Sequence, residues 1–114
     1  MSGIEHRRGD IKVHVERESV CMGDDMECPH AHDFVVARDA TLRDLFRHLA
    51  EDRYLPGVCG KNHSWSAMIG EAKVATVKAN DQYPIDSRTL DDPVSRHARD
   101  GAVRVDFLYH SAPD

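Results

Sequence analysis

The residues most able to do chemistry crowd into one stretch. Between Cys21 and Asp33 lie Cys21, Asp24, Asp25, Glu27, Cys28, His30, His32 and Asp33. His30 and His32 are two positions apart, so in an extended chain they point the same way, and Cys28 joins them two positions earlier. That trio supplies three of the four ligands zinc requires, with Cys59 or His63 as candidates for the fourth. The spacing C-x-H-x-H lacks the second ligand pair of a structural zinc knuckle. The plainer reading of the same residues is therefore an acidic, solvated loop with incidental histidines.

Other chemical readings are weaker. Asp24 and Asp25 would serve as an acid/base pair only in a pocket that gave them unequal environments, and adjacent carboxylates beside Gly23 on a loop do not meet that need. Cys59 and His63 have the residue types of a thiolate and its base, but nothing in the sequence orients the histidine. Cys59 reads instead as a small apolar filler after Pro56-Gly57. The run Gly57-Val58-Cys59-Gly60-Lys61 follows a helical pattern and lacks the phosphate-loop spacing. No catalytic residue is assigned, and the expectation is a protein that is not an enzyme.

Charge points to a partner. The 114 residues carry 15 Lys plus Arg against 20 Asp plus Glu, a formal charge of −5. Residues 16–33 hold six acids and one base, so this one stretch carries the whole net charge. An acidic chain is a poor ligand for a phosphate backbone, which excludes nucleic acid as the main partner. A dense acidic segment instead steers basic protein surfaces, which makes Glu16, Glu18, Asp24, Asp25, Glu27 and Asp33 the expected partner-binding residues. Three cysteines without a C-x-x-C suit free thiols in a reducing compartment. With no long apolar run and no secretory leader pattern, a cytoplasmic location without membrane contact is the default expectation.

Hydropathy patterns then give the elements that must position these groups. Ile11, Val13 and Val15 alternate with polar residues, predicting a strand over 11–20. The segment Met22–His32 reads as a loop from its Gly, paired Asp and Pro, and Phe34–Ala37 as a short second strand. Leu42, Leu45, Phe46 and Leu49 form one apolar stripe, predicting a helix over about 41–54. Thr41 with Asp44 approximates a capping box at its start, and Pro56-Gly57 is the expected stop. A hairpin follows, with strands around 64–69 and 72–78 and Trp65 on its core side. A turn-rich segment with a short helical turn near 94–98 leads to a last strand through Val103–Tyr109. One domain is expected, with 1–9 and 111–114 as flexible tails.

Strand, strand, amphipathic helix, strand, strand, short turn, strand is an order that resembles the β-grasp fold of ubiquitin-like proteins. Ala40-Thr41-Leu42-Arg43-Asp44-Leu45 is similar to ubiquitin's helix start. Ser87-Arg88-Thr89-Leu90-Asp91-Asp92 resembles the turn before its last strand. The resemblance covers roughly residues 11 to 110 by order and spacing. It implies an α+β domain with a mixed four- to five-stranded sheet packed on one main helix. It does not extend to conjugation, which needs a terminal Gly-Gly where this sequence ends Pro113-Asp114. Nor does it extend to plant-type ferredoxins, whose C-x4-C-x2-C run has no counterpart here. Arg17-Glu18-Ser19-Val20-Cys21-Met22-Gly23-Asp24-Asp25 with Pro29-His30 is also similar to the first loop of small bacterial proteins whose role is not established.

The expected function is accordingly non-enzymatic protein binding through the acidic first loop and the sheet surface. One concrete form is an immunity or inhibitor protein for a basic partner such as a toxin nuclease. The alternatives are a zinc-like site on Cys28, His30 and His32, and an accessory subunit of an enzyme.

Overall fold

The computed structural model describes residues 10–18, 31–55 and 63–111. Five strands and one helix follow the expected order: β1 (Ile11–Arg17), β2 (Ala31–Val36), α1 (Leu42–Glu51), β3 (His63–Ile69), β4 (Ala72–Lys78) and β5 (Ala102–Ser111). Two short 3-10 turns, Arg88–Asp91 and Val94–Arg96, lie between β4 and β5. The strands form one mixed sheet in the order β2-β1-β5-β3-β4. Only the central pair, β1 and β5, is parallel; the other pairs are antiparallel. The domain is thus α+β, with a five-stranded sheet packed on one helix.

Alternation along β1 and β5 sends Ile11, Val13, Val15, Val103, Val105 and Phe107 to one face, where they meet Leu42, Leu45, Phe46 and Leu49 of the helix. Trp65 and Ala67 of β3 are fully buried in the same layer, as the hairpin reading expected for Trp65. Fully burying one such side chain contributes about 1.5 to 3 kcal/mol, so the strands and the helix hold each other in place through this layer. The helix start is fixed from two sides. Thr41 and Asp44 cap each other's backbone N–H groups. The Leu42 N–H donates to Asp92 O at 2.9 Å, and the Val94 N–H donates to Ala40 O at 2.8 Å.

Three boundaries differ from the sequence expectation, two of them for a physical reason. The first strand ends at Arg17 rather than residue 20. Residues 19 and 20 lie outside the described residues, and the Glu18 N–H still donates to Phe107 O at 3.1 Å, so pairing with β5 continues one residue past the strand. The second strand starts at Ala31, three residues early, because Ala31, His32 and Asp33 pair with Glu16, Val15 and His14 across the ladder. Residue content had suggested a loop there, and long-range pairing overrides it. The helix stops at Glu51 instead of running to 54, and Pro56 is not what stops it. Arg53 adopts φ +50°, its N–H donates to Ala50 O, and the Tyr54 N–H donates to Leu49 O. Those two bonds are the reciprocal pattern of a left-handed helix cap.

The β3–β4 hairpin turns at Gly70, whose φ of +62° suits the first position of a two-residue turn. β5 extends to Ser111, one residue into the segment expected as a tail. Among the described residues no helix is long and apolar enough to cross a membrane.

Candidate functional site

β2 divides the candidate residues between two faces. Its register against β1 sets His32 opposite Val15 and Phe34 opposite Val13, on the helix side, and sets Asp33 opposite His14 on the side that α1 leaves open. Of the six carboxylates expected to bind a partner, Glu16, Glu18 and Asp33 are described, whereas Asp24, Asp25 and Glu27 lie outside the described residues. Of the expected zinc trio only His32 is described; Cys28 and His30 lie outside, as does Cys59.

On the open face the described carboxylates are not a free acidic patch. Asp33 and Glu16 flank one imidazole: His14 Nδ1 lies 2.6 Å from Asp33 Oδ1, and Nε2 lies 2.8 Å from Glu16 Oε2. Only the doubly protonated ring can donate to both, since a neutral ring presents one lone pair to a carboxylate. The hydrogen bond to Glu16, then that to Asp33, raise the His14 pKa above its ordinary value, and His14 lowers that of Glu16 in return. On the next strand Arg104 Nη2 lies 3.0 Å from Asp106 Oδ1 and 3.8 Å from Glu16 Oε2. The result is a lattice of alternating charge over three adjacent strands. Glu18 stands apart, its carboxylate occupied as the acceptor for Tyr109. The sequence reading missed His14, Arg104 and Asp106, although their alternate positions in two well-marked strands were the signal available.

On the helix side His32 meets two residues that the sequence reading also missed. His48 and Asp52, one turn apart on α1 and its C-cap, bring a second imidazole and a carboxylate to it. His32 Nε2 lies 3.4 Å and His48 Nε2 3.2 Å from the same atom, Asp52 Oδ2. The two imidazoles stack at 15° with centroids 5.8 Å apart, and Phe34 stacks on His48 at 4.0 Å. His63, considered as a fourth ligand or a base for Cys59, is buried at the start of β3 with Tyr109 5.8 Å away. It has no ion-pair partner among the described residues, and the structure does not place it in the His32 group.

No protein-family model, curated protein or solved structure matches this chain.

Proposed function

We propose that the chain is a non-enzymatic protein-binding domain that docks its partner on the open face of the sheet, over β2, β1 and β5. One observation carries the reading: α1 covers one face only, and on the other Asp33, His14, Glu16, Arg104 and Asp106 stand in a mutually bonded lattice. Charged side chains held by one another lose less freedom on binding than free ones, and an ordered charge pattern gives a partner a register to match. A groove lined by His14, Ile69, Arg96, Arg99, Arg104 and Asp106 extends that surface toward the start of β5. Val35 adds an exposed apolar side chain at the opposite margin.

The partner is expected to be a protein with a largely basic surface. Within the lattice the carboxylates of Glu16, Asp33 and Asp106 are balanced by protonated His14, Arg104 and the neighbouring Lys12, so the expectation of a basic partner rests on the further acids Asp24, Asp25 and Glu27 in the sequence. The element order also supports the finer assignment of the domain as β-grasp, the resemblance on which a ubiquitin-like binding surface rests.

Site-specific photo-crosslinking tests the reading. The full chain is expressed in its source cells with a photoreactive side chain at Lys12, on the open face, or at Arg47, on the exposed side of α1. A discrete adduct from position 12 but not 47, weakened by salt and by Glu16→Gln with Asp106→Asn, is the expected result. Equal adducts from both positions, or none from position 12, would refute docking on this face.

A further inference from the structure

We infer that His32, His48 and Asp52 form a binding site for a divalent transition-metal ion of the zinc class, joining the edge strand β2 to the end of α1. Two imidazole nitrogens and a carboxylate oxygen are a donor set that zinc accepts at about 2.0 to 2.2 Å, and a tetrahedral ion at those lengths sets its donors about 3.4 Å apart. The two measured edges of the group, 3.4 and 3.2 Å, match that spacing, and all three donor atoms lie within 4.8 Å of one another.

A plain ion pair accounts for the arrangement less well. Both Nε2 atoms are enclosed from solvent, and neither makes a hydrogen bond among the described residues. Each lies within 3.4 Å of Asp52 Oδ2 without meeting hydrogen-bond geometry. Enclosed ring nitrogens that miss hydrogen-bond geometry are costly unless something else takes their lone pairs. A cation held between the three groups takes both.

Position supports the same conclusion. Asp52 is the C-cap of α1, at the negative end of the helix dipole, where a carboxylate is unfavourable unless a cation offsets it. The rings are already oriented: Phe34 stacks on His48, and Tyr54, itself buried, lies 6.2 Å from His32. The three side chains remain 32%, 43% and 49% exposed for His32, His48 and Asp52, so the group lies at the surface, where water is at hand as a fourth ligand. This set differs from the trio expected from sequence and shares only His32 with it.

The test uses the full chain, prepared without a histidine tag, stripped with chelator and titrated with Zn²⁺, with Co²⁺ as the spectroscopic probe. Saturable binding of one ion per chain is expected, with a rise in melting temperature that chelator reverses. His48→Gln and Asp52→Asn should each weaken binding by on the order of 100-fold or more, the upper end of what even an outer-sphere partner contributes. Their metal-free melting should stay within about 2 °C of wild type, since both side chains are partly exposed at the end of α1 and neither belongs to the apolar core. No saturable binding by the wild-type chain overturns the proposal, as does undiminished affinity in both variants. A Cys28→Ser, His30→Gln double variant tests the competing donor set. Loss of binding there with His48→Gln and Asp52→Asn unaffected would move the ion upstream and overturn it equally.

Discussion

Thr41 and Asp44 decide where α1 begins, and their contribution can be measured. The Asp44 N–H donates to Thr41 Oγ1 at 3.2 Å while the Thr41 N–H donates to Asp44 Oδ2 at 3.0 Å, so two backbone donors of the first turn are satisfied reciprocally. Thr41→Ala removes one bond directly and leaves Asp44 with one hydrogen-bond donor fewer. A lost N-cap costs about 1 kcal/mol. A chain of this length has an unfolding entropy of roughly 0.24 kcal/mol/K at its midpoint, so the expected fall in melting temperature is about 4 °C. Asp44→Ala should fall by a similar amount, because it loses the return bond and a favourable charge in the first turn. In the double variant the losses should overlap, leaving a coupling of about 0.5 to 1 kcal/mol in a cycle measured by urea or thermal unfolding. Thr41→Ser keeps the hydroxyl and should stay close to wild type. The reasoning is refuted if Thr41→Ser falls as far as Thr41→Ala, or if the two alanine variants add without coupling. Zinc titration gives a second check. Thr41 is about 16 Å along the helix from Asp52, so a cap variant that still folds should retain the wild-type affinity.

Two further outcomes follow from local geometry. The folded-state pKa of His14 is raised by Glu16 and Asp33, so its stabilising contribution is fully present below the unfolded value of about 6.5 and disappears as pH rises through the higher folded value. Unfolding midpoints of wild type and His14→Gln should therefore converge as pH climbs through that window, and a His14 ring that titrates by NMR at or below 6.5 would refute the doubly bonded arrangement. Separately, Arg53 holds φ +50° at the end of α1, a conformation that strains an L side chain. Arg53→Gly should stabilise the chain by about 0.5 kcal/mol, the relieved strain less glycine's extra chain entropy. A loss of stability would show that the arginine side chain contributes more than its backbone costs.

Most of the architecture was legible because the informative residues are apolar and periodic. The stripe Leu42, Leu45, Phe46, Leu49 and the alternations in β1 and β5 dictate their elements locally, and tertiary packing only confirms them. The failures fall where the deciding interaction is remote. Nothing near Ala31, His32 and Asp33 marks a strand; they become one by pairing with residues up to 19 positions away, such as Asp33 with His14. The helix end was misplaced for a related reason. Pro56 looked like the stop, but a left-handed arginine, which no propensity rule favours, ends the helix three residues before it.

The candidate sites were half legible for a different reason: sequence clustering identifies chemical capacity but not facing. By composition the run 21–33 is one acidic, ligand-rich unit, yet a strand has a period of two, so His32 and Asp33 are neighbours in sequence that serve opposite faces of the sheet. Once β2 is extended, His32 must look for partners on the helix and Asp33 for partners on β1. The helix partners carried a signal of their own. His48 and Asp52 are four apart on a helix whose apolar face was already identified, so they share one side of it, and an acid at a helix C-terminus is out of place without a cation. Neither residue lies in the dense loop, so residue density along the chain does not mark the pair. Composition drew attention to the place with the most donors, whereas convergence of donor atoms depends on which strand register brings two elements together, and here the β1–β2 ladder supplies it.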